Sequence, residues 1–326
     1  MLNKSTKKLL SYLFKAAIVV LAFWFIYREF IQKGDNLKRF EILVGHLSRN
    51  RVIFVLVLVV VLMFVNWTLE SFKWKYLTRK LMRISAWESI EAVFCGLTWA
   101  IFTPNRLGEY AGRVMFLPNR KRIHGVFAMA VGSYGQNVCT NLFGLTAALW
   151  FIYSFIHLSN WLFLVIAFML LSFLAGMIIV YFHIKWLVNL LDMIPFLKKF
   201  HRFFDIMQRY RKHELIIIIC FCITRFLVFS SQYYFLIHLL IPQMPVFQMM
   251  MMVFVLFLVQ SAIPSIDVFD VGVRSGTAAV LFGYITNQTI AVMAAVSTVW
   301  LVNLIIPAIL GSVFVFKLNF FDNRTV

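Results

Sequence analysis

An all-α, polytopic membrane helix bundle is the fold class this sequence predicts, and three observations predict it. Of its 326 residues, 62% are hydrophobic and only 13% charged, about half the charged share of a soluble domain. Apolar runs such as Val52–Trp67, Trp161–Phe182 and Leu215–Leu240 suit a hydrocarbon core that takes about 20 apolar residues to cross. Two further apolar segments, 87–118 and 246–284, are each interrupted by a proline, glycines and charges. Six full spans plus two broken or re-entrant segments are expected, eight spans by simple count, in one domain.

Taken in order, the first span is expected at about 11–30, behind a basic N-terminus without a small-x-small cleavage site, so it reads as an uncleaved helix. The second covers about 52–70 and runs into Lys73-Trp-Lys-Tyr-Leu-Thr-Arg-Lys-Leu-Met-Arg83, a basic and aromatic collar suited to an interface where long cations snorkel. The first broken segment, 87–118, stops at Pro104, which lacks an N–H and disfavours helical geometry at Thr103. A long helix follows at about 125–152, then a loop free of Lys and Arg at Ser154–Asn160, then the span 161–182. Within 183–213, Phe196, Phe200, Phe203 and Met207 recur at helical spacing with charges between them, which predicts an amphipathic helix in the headgroup layer. The span 214–240 carries Arg225 near its middle. A cation-free loop, Ile241–Pro245, leads to the second broken segment, 246–284, centred on Pro264, and the last span runs about 288–316.

Broken helices inside a bilayer are tolerated only where protein or a water-filled cavity satisfies the freed backbone groups. The arm after Pro104, Leu107–Pro118, is too short at 1.5 Å per residue to cross a core of about 30 Å, so re-entrant hairpins are the preferred reading. Placing the most basic loops in the cytoplasm puts both termini there, with 31–51 as the awkward outside segment. With that sidedness, the segments of the halves 1–155 and 156–326 correspond with opposite orientation. Pro264 − Pro104 is an offset of 160 residues, and an inverted repeat is expected.

Charge and chemistry narrow the function. The net charge is +18, from 31 Lys and Arg against 13 Asp and Glu. The cations cluster in short loops between spans, a positive-inside pattern with attraction to anionic lipid rather than a nucleic-acid surface. The four cysteines lie in apolar segments, and the seven histidines show no H-x-x-H spacing. Neither a disulfide framework, a metal site nor a cofactor is expected.

The candidate site residues are the charges of the broken segments and the mid-span arginine. Arg106, Glu109 and Arg113 fall three and four residues apart, so a helix restarted after Pro104 stacks them on one face. Asp267, Asp270 and Arg274 follow Pro264. Arg225 in an apolar span needs a partner: Glu109, Asp267, Asp270 or a lipid phosphate. Each set also admits a structural reading as ion pairs between helices. Gln136, Asn137, Asn141 and Gln260 read as interhelical hydrogen bonds.

Thr103-Pro-Asn-Arg-Leu-Gly-Glu109 and Pro264-Ser-Ile-Asp-Val-Phe-Asp-Val-Gly-Val-Arg274 resemble the two signature stretches of the lysylphosphatidylglycerol synthase transmembrane-region family of flippase-like membrane proteins. Pro104, Gly108 and Glu109 match the first pattern. In the second, Pro264, Gly272 and Arg274 remain, while Phe269 and Asp270 stand where paired glycines are common and Ser275 replaces a glutamate. The resemblance implies movement of lipids across the cytoplasmic membrane, such as aminoacylated phosphatidylglycerol or polyprenyl-phosphate-linked sugars. Membrane lipids and a lipid-modifying enzyme are the partners it implies. The family's synthase members carry a soluble aminoacyl-transfer domain after the membrane region, and this sequence ends at Val326, so that transfer is not expected of the chain alone. A membrane enzyme or enzyme subunit acting on a lipid-linked substrate is the alternative, although no Asp-x-Asp, metal cluster or nucleophile–base spacing is visible.

Overall fold

A computed structural model describes residues 45, 47–101, 103, 106–194, 201–263 and 270–315. The predicted span 11–30, Pro104, Pro264, Asp267 and the side chain of Asp270 lie outside the described residues. Among those residues the secondary structure is helical throughout. We number the helices α1 Arg49–Thr78, α2 Ala86–Ala100, α3 Leu107–Val114, α4 Arg122–Phe155, α5 Asn160–Phe182, α6 Ile184–Asp192, α7 His201–Phe204, α8 Lys212–Leu240, α9 Val246–Ala262, α10 Asp270–Phe282 and α11 Thr289–Val315. Five segments, α1, Asn119–Phe155 (which includes α4), α5, α8 and α11, are long and apolar enough to cross a membrane. The protein is a multi-pass membrane protein.

The interior of the bundle holds polar and charged side chains among its apolar ones. Along α1, Val52, Val55, Val59, Met63, Asn66, Glu70 and Trp74 are buried at helical spacing, while Phe54, Val57, Val61 and Phe64 are exposed. A helix in lipid gains nothing by hiding leucine from hydrocarbon, so its buried stripe is free to carry amides and charges. Most of α5 faces outward, with only Leu174 and Tyr181 buried.

Both broken segments are short-armed. At 1.5 Å per residue, α2 with 15 residues is about 22 Å long and α3 with 8 about 12 Å; α9 with 17 reaches about 26 Å and α10 with 13 about 20 Å. Each arm falls short of a core of about 30 Å. The α2 start is fixed by a capping box: Ser85 Oγ accepts from the Glu88 N–H at 3.1 Å, and Glu88 Oε2 accepts from the Ser85 N–H at 2.8 Å. Thr103 holds the turn, its hydroxyl donating to the Trp99 or Ala100 carbonyl at 3.3 Å and accepting from the Gly108 N–H at 2.6 Å.

The α2–α3 hairpin closes because glycines meet across it. A Cβ on Gly112 would lie 2.6 Å from the Gly96 Cα, and one on Gly108 would lie 2.2 Å from the Trp99 carbonyl oxygen. This is the small-residue packing that lets backbones approach in a membrane. The hairpin then packs on the last span, where the Thr98 hydroxyl donates to the Ala308 carbonyl at 3.0 Å.

The helices meet in matching pairs. α1 packs on α8; α2 packs on α11 as α9 packs on α4. α2 pairs with α3 as α9 does with α10, and α3 rests on α4 as α10 rests on α11. The same correspondence relates α1–α2 to α8–α9, α1–α4 to α8–α11 and α4–α8 to α11–α1.

The region expected as an amphipathic surface helix differs in its described part. His201–Phe204 is a single helical turn followed by a 3-10 turn at Asp205–Arg209. Phe204, Ile206, Met207 and Tyr210 are buried, with Phe204 edge-on to Phe127 of α4 at 5.7 Å and Tyr210 Oη donating to the Leu77 carbonyl at 2.7 Å. The segment is tied down onto α1 and α4. Phe204, rather than the neighbouring Phe203, is buried there. Phe196 and Phe200 lie outside the described residues.

Candidate functional site

A cavity of about 490 Å³ lies between the two broken segments and the spans α1, α4, α8 and α11. Arg106, Glu109, Arg225 and Arg274 all line it. Four of the sequence-predicted site residues, separated by up to 168 positions (274 − 106), thus reach one space. Gln136, Asn137 and Gln260 line it too. Gln136 Oε1 accepts from Arg225 at 3.4 Å and Gln260 Oε1 from Arg274 at 2.9 Å, so these amides are interhelical bonds and cavity wall at once. Asn141 turns back to the Asn137 carbonyl of its own helix at 2.9 Å, on an exposed face, and does not reach the cavity.

The centre of the charge arrangement is Glu70 of α1, which the sequence reading passed over as the end of an apolar run. Its carboxylate pairs with Lys73 at 2.7 Å, with Arg113 at 2.6 Å and with Arg225. Arg225 Nε also donates to Asn66 Oδ1 at 3.2 Å. Among the described residues the acidic partner of Arg225 is therefore Glu70 rather than Glu109; Asp267 and the side chain of Asp270 lie outside them. The missed signal was periodic: Asn66, Glu70 and Lys73 lie four and three residues apart, on one face of α1.

Glu109 forms a second node, pairing with Arg106 at 3.1 Å and with Arg113. Arg113 is 1% exposed and bridges the two carboxylates from behind the wall. A buried guanidinium is tolerable when oxygens meet it on more than one side. Arg106, by contrast, is at the cavity surface and adopts φ 57°, ψ 28°, a left-handed conformation costing a non-glycine residue about 1–2 kcal/mol. That geometry starts α3 immediately after the break and turns its side chain back toward Glu109. The guanidiniums of Arg106 and Arg225 lie 5.7 and 5.4 Å from the Trp67 ring, within cation–π range.

The charge count decides what the cavity attracts. Lys73, Arg106, Arg113, Arg225 and Arg274 give five positive charges against Glu70 and Glu109, an excess of three (5 − 2) among the described side chains. Counting Asp267 and Asp270 outright still leaves one positive. A cleft of one sign with low-dielectric walls concentrates the opposite charge. Of the helix-break residues, Gly108 secures the first hairpin, and Gly272 of α10 has no described atom within 4 Å of a Cβ placed on it.

Comparison with known proteins places residues 12–311 in the family described as Lysylphosphatidylglycerol synthase TM region. No curated protein and no solved structure matches.

Proposed function

The chain belongs to the lysylphosphatidylglycerol synthase TM-region family, membrane proteins linked to lipid handling, and from this premise we propose that it moves an anionic lipid headgroup across the cytoplasmic membrane. One observation carries the reading: a cavity with excess positive charge between two short-armed, broken helical segments. Discontinuous helices meeting at a polar site are a recurring construction of transporters. Acyl chains stay in lipid while the headgroup crosses, so the cavity opens sideways to the bilayer. Arg106, Arg225 and Arg274 supply positive charge, and Glu70 and Glu109 compete for it, so that a phosphate is held weakly enough to leave.

The arms are re-entrant in this reading, and the halves are related by an inverted repeat. Its support is the matched set of helix pairs and similar offsets between corresponding elements. α8 starts 163 residues after α1 (212 − 49), α9 160 after α2 (246 − 86) and α10 163 after α3 (270 − 107). Gly272 and Gly276 lie 164 after Gly108 and Gly112 (272 − 108 and 276 − 112). Rocking of the halves about their pseudo-twofold axis exposes the cavity to each side in turn, with both termini cytoplasmic.

The test is movement of a fluorescent anionic phospholipid between leaflets of liposomes containing the purified protein, read by chemical quenching of the outer leaflet. Wild type is expected to bring the inner-leaflet label to the outside faster than protein-free liposomes, and Arg225→Gln to slow it at least tenfold. Rates equal to protein-free liposomes would refute transport.

A further inference from the structure

The cavity does not lie midway along the bundle. α1 lines it with residues between 66 and 73, all beyond that helix's midpoint, and α4 with residues between 129 and 140, mostly before its own. Those parts of α1 and α4 share one end of the bundle, since Tyr210 bonds to the Leu77 carbonyl and Phe204 packs on Phe127. Glu214 at the start of α8 is there too, paired with Lys80 at 2.8 Å. The cavity therefore reaches toward the end where α1 finishes and α4 and α8 begin, the cytoplasmic end in the proposed orientation.

Toward the other end, rings take over from the polar lining on three helices. After Thr140 of α4 comes Phe143; after Arg225 of α8 come Phe226, Phe229 and Tyr233; before Gln260 of α9 come Phe257 and Phe254. These six rings form one layer, and Phe226, Tyr233 and Phe257 in it are buried. Between ring centroids, Phe143 stacks on Phe226 at 4.6 Å and Phe229 on Phe257 at 5.2 Å. Phe257 also meets Phe226 and Tyr233 edge-on at 5.6 and 5.1 Å, and Phe254 joins Phe143 and Phe226 at 5.6 and 5.2 Å. The two seams of α8 at this level differ. Toward α1 and α11 it is tied by amides: Gln232 Nε2 donates to the Val59 carbonyl at 3.2 Å, and Asn303 Nδ2 donates to Gln232 Oε1 at 2.7 Å. Toward α4 and α9, rings meet rings. Apolar contact is non-directional, whereas parting a buried amide pair leaves a donor and an acceptor unsatisfied. The ring seam is thus the one that opens more readily. A hydrophobic constriction excludes water and ions until it widens, so a charged headgroup in the cavity passes this layer only when the rings separate.

We propose that the six rings are the outer gate of the cavity, with Phe257 at its centre. This conformation is the one in which the cavity serves the cytoplasmic side, and outward access follows when α9 carries Phe257 away from Phe226, Phe229 and Tyr233. A gate for lipid rests on the transport reading; the closure of the cavity toward the outer face does not.

Access to a thiol in the cavity tests this without requiring lipid movement. Asn137 of α4 lines the cavity and is exposed, so Asn137→Cys, in the full-length protein with its four native cysteines replaced, is labelled with an impermeant reagent in right-side-out and in inverted membrane vesicles. Adding Phe257→Ala is expected to speed labelling from the outer face about tenfold, the shift in population that losing an aromatic pair allows, and to leave labelling from the cytoplasmic face unchanged. Phe151→Ala removes a comparably buried ring that lies outside the cavity lining and should change neither rate, which separates a gate from general loosening. A second variant holds the gate shut instead. Phe229→Cys with Phe257→Cys, bridged in the same cysteine-free background by a short reducible bis-methanethiosulfonate, should stop lipid movement until the bridge is reduced. Outer-face labelling that Phe257→Ala leaves unchanged, or that Phe151→Ala raises equally, would overturn the gate. So would lipid movement through the bridged protein at the unbridged rate. Labelling in the expected pattern from protein that moves no lipid, bridged or not, refutes transport alone.

Discussion

At the scale of single residues, Glu70 is the group on which the site depends. Its carboxylate offsets Lys73, Arg113 and Arg225 together. Removing one member of a buried pair typically costs about 3–5 kcal/mol, because the remaining charge is left uncompensated. Glu70→Gln is therefore expected to destabilise the purified protein by about that amount, read as a lowered thermal midpoint. Arg225→Gln leaves Glu70 paired with Lys73 and Arg113, so it should cost clearly less stability while losing lipid movement. A midpoint for Glu70→Gln at or above that of Arg225→Gln would contradict this ranking. The sequence made the cations legible, since an arginine in an apolar span stands out by its cost. It hid their counter-ion, because Glu70 sits where an apolar run gives way to a basic collar and reads as the start of the interface. Only the helical register of Asn66, Glu70 and Lys73 distinguishes a buried carboxylate from an interfacial one, and that register matters only once α3 and α8 are known to pack there.

At the scale of elements, the first broken segment is a hairpin held by backbone proximity rather than by side-chain bulk. Gly112→Ala would place a methyl 2.6 Å from the Gly96 Cα, and neither backbone can yield without parting α2 from α3. An overpacked core ordinarily loses about 1–3 kcal/mol, so a loss of at least this size is expected. Since α3 carries Glu109 and Arg113, a fall in lipid binding should accompany it. Gly176→Ala on outward-facing α5, where no described atom lies within 4 Å, should change neither stability nor binding. Both breaks were visible in the sequence from proline and charge at membrane depth. The tethering of 201–210 was not, because an amphipathic pattern has the same period whether its apolar side meets lipid or protein. The shift to 3-10 geometry at Asp205 carries no pattern of its own.

At the scale of the whole molecule, the proposed function requires that the one cavity lie between two halves of opposite orientation. The sequence supplied segment order and offsets; the pairing of α2 with α11 and of α9 with α4 became visible only in three dimensions, since no local pattern specifies which distant helix a hairpin meets. Opposite orientation predicts that single cysteines at 154–160 and 241–245 react with an impermeant thiol reagent from outside, and that those at 201–213 do not. The reverse pattern would invert the protein in its membrane. The central claim, that this cavity serves both sides, is tested most directly by one thiol within it. Ser261 lines the cavity and is exposed, so Ser261→Cys in a background with the four native cysteines replaced reports access. The account predicts labelling by an impermeant reagent applied to either face of the membrane, slowed from both faces by short-chain phosphatidylglycerol. Labelling from one face only, with and without lipid, would contradict it.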